Sequence, residues 1–165
     1  MSALSLYLQW SSQNRRDLQN SYQSMQTKAF LGRIVSVLTG RPRNLLDLNT
    51  EISERRIRSQ HSAGSQTVPI NRIKGSEGRT GDFDREFNPM HTGMRKRWVS
   101  VAAARSSGVT LSAVELIQLG EDYFVRDGHH RISVARALSE EYIDANVIVL
   151  ELEPVSRPPR KLVTA

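Results

Sequence analysis

The sequence predicts an α/β fold of the α+β type: a small mixed sheet with flanking helices, preceded by a helical N-terminal region. Three short segments rich in β-branched and aromatic residues are typical of strands: Val114–Leu119, Tyr123–Arg126 and Ala145–Leu152. Helical spacing follows the second segment, where Ile132, Ala135 and Leu138 share one face. A second stretch with helical spacing lies far upstream, at residues 29–38. Strands interleaved with helices therefore define the expected core.

Residues 1–60 are predicted to form a helical, basic region, with partial disorder as an alternative. Residues 3–28 are rich in Gln and Ser, whereas residues 29–38 predict a better amphipathic helix. Four of its apolar residues fall on one face: Phe30, Ile34, Val37 and Leu38. A charged helical stretch is expected at residues 51–58. Residues 60–66, rich in Ser, Gln and Gly, predict a flexible linker and a domain boundary.

Residues 67–152 are predicted to form the main domain, followed by an extended tail at 153–165. Its expected elements are, in order, a strand at 68–73, a Gly-rich loop at 75–81, a polar segment with two aromatic anchors at 82–89, a helix at 92–105, a hairpin turning at 120–122, a helix at 128–138 and a last strand. A divided chain of this kind is consistent with one ordinary domain and an appendage.

Composition narrows the class of protein. The chain of 165 residues has no cysteine, which excludes disulfides and thiolate metal sites. No apolar run is long enough to span a membrane, and we expect a cytoplasmic protein. The net charge is +6, of which residues 1–66 carry +5, from 9 Lys and Arg against 4 Asp and Glu. That excess indicates either a solvated face or contacts with nucleic acid.

The most informative motif is Asp127-Gly-His-His-Arg131, which follows a strand and opens a helix. The first N–H groups of a helix lack intrahelical partners and lie at the positive end of the helix dipole. Strand, glycine, cationic side chains and helix start together predict an anion site, suited above all to phosphate.

Each residue of the motif also has a structural alternative. Asp127 either caps the helix or holds a divalent cation or a substrate hydroxyl. Gly128 allows unusual dihedral angles and close approach of a phosphate. His129 and His130 diverge by about 100° on a helix, so one is expected to face the ligand while the other packs on the sheet. Arg131 offers a planar fork that matches phosphate oxygens.

The strands around this motif resemble the core of the ParB/sulfiredoxin superfamily. The similarity extends from Val68–Lys74 and Gly75–Arg79 to the last strand, over roughly residues 67–152. The Asp127–Arg131 sequence is closer to ParB-like free-serine kinases than to the motif of partition proteins. The resemblance implies a nucleotide-binding fold, with CTP, ATP or ADP and Mg²⁺ as expected ligands and Asp127 as the metal ligand.

Two functions follow as hypotheses. The first is a nucleotide- or phosphate-binding protein with a regulatory or DNA-associated role. The second is a small-molecule kinase, in which Glu77 is the base by resemblance, Asp127 assists, and transfer depends on positioning and charge neutralisation. Glu77 is alternatively a plain loop residue. Arg79 either contacts the nucleotide or pairs with a nearby aspartate. Sulfiredoxin activity is excluded because that reaction needs a cysteine.

DNA contacts, where present, are expected from the N-terminal region, since no helix-turn-helix pattern follows the core. The candidates are four arginines: Arg15, Arg16, Arg41 and Arg43. No membrane partner is expected, and a homodimer is left open as an alternative.

Overall fold

The computed structural model describes residues 3–40 and 43–153. Its helices are α1 (Ala3–Thr39), α2 (Leu48–Ile52), α3 (Arg95–Ser106) and α4 (His129–Ala137), with 3-10 turns at Ile70–Arg72 and Thr92–Met94. Its strands are β1 (Leu46–Asp47), β2 (Ile57–Pro69), β3 (Ile73–Ser76), β4 (Val114–Leu119), β5 (Asp122–Asp127) and β6 (Tyr142–Leu152). Arg41 and nearly all of the expected tail lie outside the described residues.

The six strands form one mixed sheet in the order β1-β3-β5-β4-β6-β2. The β4–β5 and β2–β6 pairs are antiparallel, and the other neighbours are parallel. Gly120 begins the tight β4–β5 turn with a φ of +62°, a conformation that glycine adopts readily. The predicted class, a mixed sheet with flanking helices and a helical N-terminal region, is confirmed.

The flexible linker predicted at residues 60–66 is wrong. These residues lie inside β2, which pairs with β6 from Ile57 to Pro69. The register shifts between Ser62 and Gly64, and Gly64 has a φ of +74°, which is typical of a glycine β-bulge. Most of β2 is exposed, and an edge strand with few buried side chains has the polar composition of a linker. Whether residues 67–152 fold without the preceding region stays a prediction.

Three other expected boundaries also differ from the structure. The charged helix expected at 51–58 is the short helix α2, and its last residues belong to a turn and to β2. The strand expected at 68–73 is the end of β2, a 3-10 turn and the first residue of β3. The Gly-rich loop begins only at Glu77, because Gly75 and Ser76 lie in β3.

Helix α1 is continuous where two helical segments were expected. One face packs on α3, with Tyr22, Met25 and Ala29 buried. The Tyr22 ring lies 5.6 Å from the Trp98 ring, and its hydroxyl donates to the His91 carbonyl at 2.7 Å. The apolar face predicted at residues 30–38 is not buried but points outward. No helix in the described ranges combines the length and apolarity needed to cross a bilayer.

The main core lies between the sheet and helices α1, α3 and α4. Its largest fully buried side chains include Trp98, Phe83, Phe87, Ile132 and Leu116. The Trp98 indole N–H donates to Ser133 Oγ at 2.9 Å, which joins α3 to α4 without leaving a buried donor unpaired. A smaller cluster around Ile117 and Phe124 covers the other face of the sheet under α2.

A turn centred on Asp84 holds two aromatic residues beneath α4. The buried Asp84 carboxylate accepts hydrogen bonds from the backbone N–H groups of Glu86 and Asn88 and from the Asn88 side-chain amide. Phe87 adopts a φ of +59°, which is strained for a bulky residue and needs surrounding contacts to persist. The two aromatic anchors predicted in this segment, Phe83 and Phe87, are both fully buried.

Hydrogen exchange tests the correction at residues 60–66. In an antiparallel edge strand only the N–H groups that face the partner are bonded. Measured by NMR, amides of β2 should therefore alternate between slow and fast exchange on each side of the bulge at residues 62–64, as far as Val68. Uniformly fast exchange across residues 60–66 would instead support the flexible linker predicted from the sequence.

Candidate functional site

Helix α4 begins directly after β5 and presents its N-terminal end to a cavity. Gly128 is the N-cap residue, and no side chain caps the helix. The first intrahelical bond runs from the Ile132 N–H to the Gly128 carbonyl at 3.0 Å. The preceding N–H groups thus have no partner within the helix, as at other helix starts. The alternative role of Asp127 as a helix cap is wrong for this conformation.

Gly128 is required for steric reasons. Its φ is +102°, which L side chains rarely adopt, and a Cβ atom there would lie 2.5 Å from Val114 Cγ1. The close neighbour that excludes a side chain is therefore Val114 of β4. Glycine lets the chain turn from β5 into α4 while α4 stays packed against the sheet.

His129 is buried and held by Ser76. Its Nε2 lies 2.8 Å from Ser76 Oγ, and the ring stacks on Phe83 at 5.8 Å. Ser76 Oγ already accepts from the N–H groups of Gly78 and Arg79, and its own proton has two acceptors in reach, His129 Nε2 at 2.8 Å and the Val125 carbonyl at 3.3 Å. The nearer acceptor, Nε2, is assigned the proton. By this assignment His129 carries its own proton on Nδ1, which has no partner among the described residues. A neutral His129 thereby keeps a free donor.

His130 is also buried, against the edge of the Phe83 ring at 5.5 Å. Its Nδ1 is enclosed and has no hydrogen-bond partner in the described part of the chain. Burial, and after it the positive charge of Arg79, lowers the pKa of His129 and of His130 to about 4. The structure does not divide the two histidines into one that lines the site and one that is packed, as was predicted. Both are packed, and both line the cavity.

Arg131 binds protein groups in this structure. Its Nη1 donates to the carbonyls of Ser112 and Ala113 and to Ser112 Oγ, and its Nη2 pairs with Asp127 at 2.6 Å. These contacts fix the loop before β4. The Asp127 carboxylate is 66% exposed and remains accessible to a cation or ligand. Phosphate binding by Arg131 and metal binding by Asp127 stay predictions, and phosphate binding requires the contacts of Arg131 to rearrange.

The two loop residues singled out by resemblance are also paired. Both Glu77 carboxylate oxygens accept from Arg126, at 2.9 and 3.0 Å. These hydrogen bonds hold the Glu77 pKa below its usual value, which makes the carboxylate a weaker base. Arg79 pairs with Asp82 at 2.6 Å, as one alternative anticipated, and it also lines the cavity.

The cavity at the start of α4 has a volume of about 420 Å³. Besides the motif residues its lining includes Arg79 and Arg97, with Val101 and Leu111 on an apolar side. Arg97 is exposed on the first turn of α3 and forms no hydrogen bond or ion pair with the described residues. It is a site residue that the sequence reasoning missed, because Arg95, Lys96 and Arg97 look equivalent along the chain. Only the packing of α3 on α4 singles it out.

The residues predicted to bind a metal or DNA do not come together in the way that the cavity residues do. No group of three or more His, Cys, Asp or Glu side chains suited to a metal occurs among the residues described. Metal binding by Asp127 alone, for an ion that arrives with a nucleotide, stays a prediction. Arg15 and Arg16 are exposed on α1, whereas the Arg43 guanidinium packs beside Gly32. DNA binding stays a prediction.

Comparison with solved structures found sulfiredoxin from Arabidopsis thaliana, which is 14% identical, with a TM-score of 0.38. The match covers 50% of this chain and 82% of that chain. Searches of protein-family models and of curated proteins found no match. At this identity and TM-score the match carries no argument about superfamily or activity, and the resemblance to free-serine kinases stays a prediction.

A Gly128→Ala variant should lose stability. A left-handed conformation costs an L residue about 1–2 kcal/mol, and overpacking against Val114 adds about 1–3 kcal/mol. Urea unfolding should show a loss of at least about 2 kcal/mol. Gly78→Ala is the matched control, because a Cβ there meets nothing within 4 Å. Equal losses in both variants would contradict the assigned role.

Acid should destabilise the protein through the two buried histidines. Their pKa is about 4 when folded and about 6.5 when unfolded, so the unfolded state binds more protons between these values. Stability is therefore complete above pH 6.5 and falls as the pH drops towards 4. The loss is up to about 1.4 kcal/mol per pH unit for each histidine. Urea midpoints from pH 7 to pH 4 measure it.

His130→Gln should remove about half of that pH dependence, and the exposed His61→Gln should leave it unchanged. An identical pH profile in His130→Gln would show that other groups cause the acid sensitivity.

Proposed function

We propose that the cavity at the start of α4 binds the phosphate group of a nucleotide, and that the protein is a nucleotide-binding module. The observation that carries the proposal is the convergence of unpaired donors on one cavity. These are the first N–H groups of α4, the Nδ1–H assigned to His129 and the unpaired guanidinium of Arg97. Donors of this kind bind phosphate oxygens at helix starts in many proteins.

Electrostatics favours an anion in the same place. Burial is the largest cause of the low His130 pKa, and the positive charges of Arg79 and Arg97 lower that pKa further, against the opposite effect of Asp82, so the nearby charge is on balance positive. A bound phosphate would offset that charge and supply acceptors to the donors that have none. The volume of about 420 Å³ lies within the range of small-molecule sites. The apolar side formed by Val101 and Leu111 suits a base or ribose.

Two features support binding more than phosphoryl transfer. Both oxygens of Glu77 are held by Arg126, and one oxygen of Asp127 is held by Arg131, so a role as base would compete with existing ion pairs. The kinase hypothesis is therefore the second candidate, and phosphorylation of free serine by the purified protein would put it first. A regulatory or DNA-associated role is proposed only as a consequence of nucleotide binding.

Arg97→Gln should weaken phosphate binding about tenfold or more, because charge-assisted hydrogen bonds contribute roughly 1.5–3 kcal/mol. Calorimetry with inorganic phosphate, and with CTP, ATP and ADP with and without Mg²⁺, measures the effect. Arg95→Gln is the matched control, since Arg95 is also exposed on the first turn of α3 but does not line this cavity. Equal affinity in both variants, or no binding by the wild type, would reject the proposal.

A further inference from the structure

The second half of α1 carries an exposed apolar face that the described residues, 3–40 and 43–153, do not cover. Six large apolar residues on it are between 44% and 84% exposed: Phe30, Leu31, Ile34, Val35, Val37 and Leu38. At 100° per residue they fall within about 160° of the helix circumference. The buried face of the same helix, with Tyr22, Met25 and Ala29, lies on the opposite side. Helix α1 thus has one apolar face for its own domain and a second one that is open.

We propose that this second face is the interface of a homodimer, in which α1 of one copy crosses α1 of another antiparallel and close to Ile34. The central residues Phe30, Ile34 and Val37 are spaced by four and then three positions, the spacing of a helix–helix seam. An isologous contact of this kind uses the same face on both copies and closes on itself.

The exposed area matches the requirement of a dimer. The six residues together expose the equivalent of between three and four whole side chains, roughly 600 Å² per copy if each fully exposed residue presents about 170 Å². Two copies then bury roughly 1,200 Å², the lower end of the range for stable specific interfaces. An apolar patch of roughly 600 Å² is at the upper end of what a monomeric surface usually exposes. A groove of about 1,020 Å³ borders the face at Leu31 and Val35 and can extend the contact.

The composition of the face favours a second copy as its occupant. The six residues include no charged side chain, so the face offers no ion pair to a foreign partner, whereas the same apolar face of another copy matches it. Ile34 lies midway between Phe30 and Leu38, so a crossing close to Ile34 places the middle of the face on the two-fold axis.

Sedimentation velocity over a range of concentrations tests the proposal. The wild type should show a monomer–dimer equilibrium, and Leu38→Glu should weaken it at least about tenfold, because burying a charge at the seam is costly. The matched control is Val109→Glu, at another exposed aliphatic residue, which should dimerise like the wild type. Helical circular dichroism confirms that both variants are folded. A wild type that stays monomeric, or a Leu38→Glu variant that dimerises normally, overturns the proposal.

Cysteine cross-linking tests the geometry, since the natural chain has no cysteine. Ile34→Cys should form a disulfide between copies under mild oxidation, whereas Arg33→Cys, exposed beside it but about 100° further round the helix, should not. Equal cross-linking at both positions overturns the crossing at Ile34. Monomeric protein that sediments with anionic phospholipid vesicles also overturns the proposal, and would assign the face to a lipid surface.

Discussion

The buried carboxylate of Asp84 is the interaction on which the site depends most. Its hydrogen bonds to Glu86 and Asn88 close a short turn that would otherwise leave several polar groups unpaired. The turn holds Phe83 and Phe87 in the core, and Phe83 contacts both His129 and His130. A charge buried to this extent is tolerated only with such partners. Removing the Asp84 carboxylate would therefore disturb the histidine pair indirectly, through the aromatic side chains that support it.

Arg136 continues the same support at the other end of α4. Its guanidinium lies 5.0 Å from the centre of the Phe87 ring and donates to the carbonyls of Ile70 and Ile73 at 3.0 Å. Burial lowers its pKa, although Glu86 and Asp84 raise it. The helix is thereby tied to the 3-10 turn and to the start of β3, the strand that carries Ser76. Such contacts hold the cavity lining in place before any ligand arrives, which reduces the entropic cost of binding.

The sequence was sufficient to predict those elements whose structure depends on neighbouring residues. The turn at Gly120, the start of α4 and the helix that buries Trp98 follow from glycine placement and apolar spacing, and the structure has all three. Prediction from the sequence failed where a segment distant in sequence determines the local structure. Polar residues 60–66 form a strand because β6 pairs with them, and Arg131 turns to Ser112 because the loop before β4 supplies carbonyls. Helical spacing found an apolar face on α1 but could not tell which protein surface, if any, covers it.

The pairing of β2 with β6 has a kinetic consequence. Ile57 is paired with Leu152, so the contact closes a loop of nearly the whole domain. During synthesis β2 has no neighbour until β6 has been made, and its backbone groups must remain solvated for that interval. Proteins dominated by such distant contacts fold slowly. The sequence of β2 is polar and has few apolar residues. An unpaired strand of that composition has little tendency to associate with other chains before β6 is available.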